Sequence, residues 1–240
     1  MTLVDSVFPV VGVVLSNALY FAPLPAVISA ARSGVLGPSS ALPQAVMVIS
    51  TTAWVFYALS VPNFYITAAN VPGVISSVYA ISITLPLIPR DRLREREQVQ
   101  AVLVGGAAID LFLWVFLIAS EASAEHRSAV LGLYGSLICI VLFASPLATV
   151  RDVIATRNSA SIYAPLTFAQ VINCGTWTAY GLAVGDIWVW GPNAAGFALG
   201  LAQLSLKLTY PARGSNEARP FFGAARAAGG KCSDADSDEP

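Results

Sequence analysis

Apolar residues along this chain neither alternate nor recur at every third or fourth place. They run on in long stretches, interrupted by short polar ones. Seven such stretches stand at residues 6–29, 41–60, 65–88, 99–119, 129–150, 162–184 and 187–210. Each has the roughly 20 mostly apolar residues that a helix needs to cross the hydrocarbon of a bilayer. The links are too short to fold alone: "PRDRLREREQ" at 89–98, "SEASAEHR" at 120–127 and "LSVPNF" at 59–64. The first stretch is expected to stay rather than be removed as a leader, because it carries Asp5, lacks a basic start and continues through Pro23 and Pro25. The last residues, rich in Gly, Ala and Ser and ending "SDADSDEP", have too little apolar surface to pack and are expected to be disordered.

Composition agrees with an all-α membrane protein. The chain is 56% hydrophobic and 11% charged, with a mean hydropathy of +0.68, against about 25% charged residues in an ordinary soluble domain. The formal net charge of −1 gives no reason to expect a nucleic-acid partner. Cys139, Cys174 and Cys232 have no motif spacing and read as small apolar filler or tail residues. His126 lies in a charged link beside Glu125 and Arg127 and reads as solvated. With no nucleophile–base pair, metal cluster or phosphate loop, neither enzyme activity nor a metal or cofactor is expected. Arginine and lysine are one-sided. Arg32, Arg90, Arg92, Arg94, Arg96, Arg151, Arg157, Arg213, Arg219, Arg226 and Lys231 fall on one face, against Arg127 alone on the other. That bias places the N-terminus outside and the C-terminus in the cytoplasm.

The chain also resembles itself. At an offset of 123 residues, and with no gap, Pro23 falls on Pro146, Trp54 on Trp177, Tyr57 on Tyr180, Asn70 on Asn193 and Gly73 on Gly196. Coincident Trp, Tyr and Asn say far more than coincident Leu and Val. Each half holds three spans, and the fourth span lies between them. Three spans plus one make four, so the second half starts on the same face as the first. The expected fold is therefore two parallel three-helix repeats joined by a linker helix. The chain divides at 1–98 (first repeat and following loop), 99–127 (linker helix and loop), 128–211 (second repeat) and 212–240 (cytoplasmic tail).

Polar residues inside the spans are the candidates for function. An unsatisfied amide in hydrocarbon costs several kcal/mol, so Asn70 and Asn193 must face the bundle interior or water. From the residues alone, each is either glue between helices or a ligand group. Trp54 and Trp177 precede the two asparagines by 16 residues each, inside their spans, whereas Trp188 and Trp190 suit the interfacial belt. Asp186 either caps the last span or takes part in a contact there. Asp110 is the lone acid deep in a span. Intramembrane acids are functional candidates by default, but its span lies outside both repeats, and bonding to a neighbouring helix is the expected role.

The motifs resemble those of the SWEET (MtN3/saliva) sugar transporters. They are "FAPLP" (21–25), "ALPQA" (41–45), "WVFYAL" (54–59) and "AANVPG" (68–73) in the first half. The second half has "FASPLATVRDVIATR" (143–157), "GTWTAYGL" (175–182), "GDIWVWGPNAAG" (185–196) and "LGLAQLSLKLTYP" (199–211). They cover residues 1–211 in order. The resemblance implies passive, bidirectional sugar movement without ATP or ion coupling, usually across the plasma membrane. It implies that Asn70 and Asn193 bind the sugar, whose hydroxyls suit a group that both donates and accepts. Trp54 and Trp177 would wall the pocket, narrowing it toward a monosaccharide such as glucose. Tyr57, Tyr180 and Asp186 would close an outer gate, with Tyr57 and Asp186 as the pair. Pro23, Pro43 and Pro146 would form a cytosolic-side hinge. Pro165 is its fourth member only with a local shift of register, since the gapless offset puts Leu166 opposite Pro43. A monomer and a homo-oligomer both remain open. The alternative is an amino-acid transporter of the related PQ-loop type, suggested by Pro43–Gln44, although "APLT" (164–167) stands where a second PQ would be. A seven-span receptor is more remote, since no receptor carries a three-span repeat.

Overall fold

The structure, a computed structural model, describes residues 3–37 and 40–213. The described residues form α-helices with one 3-10 turn and no strand: α1 (Leu3–Phe21), α2 (Leu24–Ser33), α3 (Leu42–Ser60), α4 (Phe64–Thr84), α5 (Leu93–Ala119), α6 (Ala124–Leu142), α7 (Ala144–Thr156), α8 (Ala164–Ala183) and α9 (Ile187–Thr209). Seven spans result, because α1 with α2 and α6 with α7 each make one interrupted span. Five spans are long and apolar enough to cross a bilayer by length and composition. The other two, α8 and α9, have the length, with 20 and 23 residues, but their mean hydropathy is lower. The C-terminal tail expected to be disordered lies, from residue 214, outside the described residues.

Helix boundaries follow local chemistry. Asn63 caps α4 by accepting from Ile66 N, and Asp186 caps α9 by accepting from Trp188 N and Val189 N. Each satisfies backbone donors that a helix start leaves unpaired. Pro43 and Pro165 are both the second residue of their helices, where a missing N–H costs no intrahelical bond. Helix α8 starts one residue earlier than the 123 offset would put it, yet α3 and α8 end in register at Ser60 and Ala183. The expected shift of register is therefore local to the start of α8. The link at 89–98 differs from the sequence expectation. From Leu93 it is already helix, extending α5 beyond its apolar part, with an Arg92–Glu95 ion pair of 3.1 Å and Glu95 Oε1 accepting from Ala41 N at 3.1 Å.

The interruptions are matched. Between α1 and α2 the helix breaks at Ala22–Pro23, and between α6 and α7 it breaks at Phe143, three residues before Pro146. The end of α2 is Gly34 (φ 68°) and the end of α7 is Arg157 (φ 50°), both left-handed and 123 residues apart.

Six spans close into a ring. Around it run α1, α4, α3, α6, α9 and α8, each packed on the next and the last on the first. A shift of 123 carries α1, α3 and α4 onto α6, α8 and α9 and maps the ring onto itself. That is the signature of a twofold axis along the membrane normal. Helix α5 stands outside, against α3, with Val104, Phe112, Val115 and Phe116 facing outward. In the absence of water such an apolar belt is the expected surface of a multi-pass membrane protein.

The halves touch unevenly. Contact between them runs through α1 with α8 and α3 with α6, while α2 packs on α4, and α7 packs on α9 and α6. The repeats are thus joined on the face that carries the α3–α4 and α8–α9 turns. On the Arg-rich face, beyond the breaks at Pro23 and Phe143, the principal helix contacts among the described residues lie within each half.

Candidate functional site

The two asparagines occupy one position in each half. Each is the seventh residue of its helix, counting from Phe64 and from Ile187. Asn70 Nδ2 donates to Ile66 O at 2.9 Å and Asn193 Nδ2 to Val189 O at 2.8 Å, both one turn back on the same helix. Asn193 makes no hydrogen bond to another helix among the described residues, so it is not acting as helix-to-helix glue in this state. Asn70 differs, because Tyr20 Oη of α1 donates to its Oδ1 at 3.1 Å. Asn70 is buried and Asn193 half-buried.

Prolines beside the asparagines open the backbone. Pro72 lies inside α4 and Pro192 inside α9, and each lacks the N–H that would bond four residues back. The carbonyl so released by Pro72 is that of Ala68, which accepts from Asn17 Nδ2 at 3.3 Å. Asn17 thereby clamps α1 to α4. Its counterpart at the 123 offset is Ile140, which cannot do this. There a groove of about 310 Å³ lies between α6 and α9, lined by Ile140, Phe143, Trp188 and Pro192, while Gly132 of α6 still packs closely on Trp188.

The tryptophans sit at the seams between the halves. Gly12 of α1 faces Trp177 so closely that a Cβ there would lie 2.8 Å from the indole, and Gly135 of α6 faces Trp54, at 3.2 Å. These glycines are again 123 apart. Trp177 Nε1 donates to Ser16 Oγ at 3.0 Å, and Ser16 Oγ donates to Asn173 Oδ1 at 2.9 Å, which ties α1 to α8 through buried groups. The counterpart of Ser16 is Cys139, which stands beside Trp54. Each tryptophan also packs edge-on against the tyrosine three residues later. The centroids are 5.4 Å apart for Trp54 and Tyr57, and 5.8 Å for Trp177 and Tyr180.

Those tyrosines bridge the two halves by hydrogen bonds. Tyr57 Oη donates to Asp186 Oδ2 at 2.6 Å, and Tyr180 Oη accepts from Asn63 Nδ2 at 2.8 Å. Asn63 and Asp186 are themselves 123 residues apart, so the two bonds are copies of one another. Each cap residue therefore has two tasks, holding its own helix start with one side-chain atom and the opposite half with another. Sequence reasoning paired Tyr57 with Asp186 but left Asn63 unused, although the same offset points straight to it. Asp110 of α5 is buried and faces Tyr134 of α6, and neither of its carboxylate oxygens finds a well-aligned partner among the described residues.

A family model described as "Sugar efflux transporter for intercellular exchange" (MtN3_slv) matches residues 6–90 and again 129–215. This chain belongs to that family, the SWEET transporters. The two matched segments start 123 residues apart (129 − 6), the spacing at which the chain repeats itself. The bidirectional sugar transporter SWEET16 of Oryza sativa subsp. japonica is 32% identical over 203 residues, 84% of this chain and 61% of that protein. SWEET11 of Arabidopsis thaliana, another bidirectional sugar transporter, is 29% identical over 206 residues, 85% of this chain and 70% of its own length. The sugar transporter SWEET1 of Caenorhabditis elegans is 26% identical over 222 residues, 92% of this chain and 70% of that protein. The chain thus spans only about three-fifths to seven-tenths of these relatives' lengths. Among solved structures, a eukaryotic SWEET transporter superposes with a TM-score of 0.73 at 20% identity, covering 86% of this chain and 98% of that one. Parallel repeats about an axis along the membrane normal are a known property of SWEET folds, and this chain has them.

Proposed function

We propose that this protein is a passive, bidirectional sugar transporter that works by alternating access, with a monosaccharide such as glucose as its cargo. The observation that carries the reading is the pair of matched bonds, Tyr57 to Asp186 and Asn63 to Tyr180, on the face where the halves touch. The principal helix contacts between the halves fall on the bonded side, which supports a reading in which that side is closed and the Arg-rich side opens. The basic residues of the Arg-rich face support a cytoplasmic side for it and an outer side for the Tyr–Asp pair, in keeping with a plasma-membrane location. The central Asn pair offers amides to sugar hydroxyls, and Trp54 and Trp177 offer flat faces to its C–H surfaces. Pro23 and Pro146 lie at the interruptions and act as the hinge, with Pro43 and Pro165 at the helix starts that must tilt with it. Movement is passive because Asp110, the acid deep within a span, lies on the linker and outside the ring.

The test is uptake of labelled substrates in a transport-deficient host. Glucose uptake should exceed uptake of sucrose and of neutral amino acids, and should stop at the outside concentration. Transport of neutral amino acids instead of hexoses would favour the PQ-loop type. Accumulation that collapses with a protonophore would overturn the passive mechanism.

A further inference from the structure

We propose that Tyr20 and Phe143 make the sugar site deliberately unequal, and that the Tyr20 hydroxyl, by fixing the Asn70 amide, orients the sugar one way round. This inference rests on the sugar-transport reading above. Tyr20 and Phe143 are counterparts at the 123 offset, and both lie at the interruption of their span. Their rings occupy matching places. A Cβ at Gly73 would lie 2.7 Å from the Tyr20 ring, and one at Gly196 would lie 3.3 Å from the Phe143 ring. Gly73 and Gly196 each follow their asparagine by three residues, one turn along the same helix. The difference is one oxygen atom, and it carries a hydrogen bond, from Tyr20 Oη to Asn70 Oδ1 at 3.1 Å. The same hydroxyl is near enough to Cys139 and Cys174 of the second repeat to interact with them electrostatically, and its bond to the buried Asn70 keeps it inside the bundle.

The consequence follows from donor counting. An asparagine side chain has two N–H donors and a carbonyl with two lone pairs. In Asn70 one donor goes to Ile66 O and one lone pair to Tyr20. The amide can no longer turn over, and it presents one N–H and one lone pair in fixed directions. The Tyr20 oxygen keeps a lone pair of its own as a further acceptor. Asn193 has its bond to Val189 O, with an apolar ring where the hydroxyl would be. A hexose has no twofold symmetry. Two identical half-sites would accept it equally well in two opposed orientations, whereas a polar half facing an apolar half selects one.

The test is glucose uptake by Tyr20→Phe, Phe143→Tyr and the exchanged double variant Y20F/F143Y, each corrected for surface level. Tyr20→Phe should raise the half-saturation concentration about 3- to 10-fold, the range of one hydrogen bond, with the maximal rate little changed. The double variant moves the hydroxyl to the other half. Because the path is bidirectional and the ring twofold, it should return half-saturation to within about 2-fold of the parent. Mere repacking would not be rescued in this way. Phe143→Tyr alone should weaken discrimination between glucose and its monodeoxy analogues by about 3-fold, and this result carries the test if Tyr20→Phe fails to reach the membrane. Parental half-saturation in Tyr20→Phe, no recovery in the double variant, or unchanged discrimination in Phe143→Tyr would each overturn the proposal while leaving sugar transport standing. A parent protein that moves no hexose would overturn both.

Discussion

Asn70→Ala and Asn193→Ala should each cut hexose uptake about 5- to 150-fold while surface expression stays near normal. With sugar bound, each substitution leaves a sugar hydroxyl without its partner in a low-dielectric interior, which costs ~1–3 kcal/mol, and ~1.4 kcal/mol is a factor of ten. The structure also separates the two cases. Asn193 bonds only to its own helix among the described residues, so its loss should leave thermal stability in detergent close to that of the parent. Asn70 also receives Tyr20 from α1, so its loss should lower stability as well as uptake. Radiotracer uptake corrected for surface biotinylation, together with a thermal-shift assay, reads both. Normal uptake by Asn193→Ala would remove the second half-site and leave the symmetry as mere ancestry.

Adding a single methyl group at the seam should be nearly as damaging. In Gly12→Ala the new Cβ would lie 2.8 Å from Trp177 Cε2 and 2.9 Å from its Nε1. The indole cannot retreat easily, because its N–H is held by Ser16 at 3.0 Å, and Ser16 in turn by Asn173. Overpacking of this kind costs ~1–3 kcal/mol, and here it falls on the α1–α8 seam, one of the two main helix seams between the halves. Gly135→Ala makes the equivalent change against Trp54, but its Cβ would lie 3.2 Å away, and Trp54 is only half-buried. The expected order of loss, in both thermal stability and uptake, is Gly12→Ala well below Gly135→Ala, with the latter close to the parent. Equal effects would mean that the two seams are equally rigid and that the Ser16–Asn173 tie contributes nothing.

Much of this was legible in the sequence, and what was not has physical reasons. Seven spans follow from unbroken apolar stretches, and the offset of 123 gave the parallel arrangement before any contact was known. The extension of α5 through Arg94–Gln98 was hidden because a charged helix beyond the bilayer has no apolar stripe to betray it. Fixing it takes the ion pair with Arg92 and the bond to Ala41, both tertiary facts. Asn63 was legible and overlooked, since its counterpart is Asp186 and a search for identical pairs passes over an amide facing an acid. Tyr20, Ser16 and Asn173 were hidden for a related reason. Their counterparts are Phe143, Cys139 and Ser50, so the residues that make the halves unequal are the ones a search for sameness discards. A tyrosine in an apolar span reads as core until its hydroxyl is seen to have a partner.

The central claim is that one face closes while the other opens around a shared site, with no energy input. Counterflow tests it most directly. Purified protein in liposomes preloaded with unlabelled glucose is diluted into a trace of labelled glucose. The account predicts a transient accumulation of label inside, rising above the outside concentration and then decaying to equality, unaffected by a protonophore. Label that enters no faster with the preload than without it would contradict alternating access at a common site.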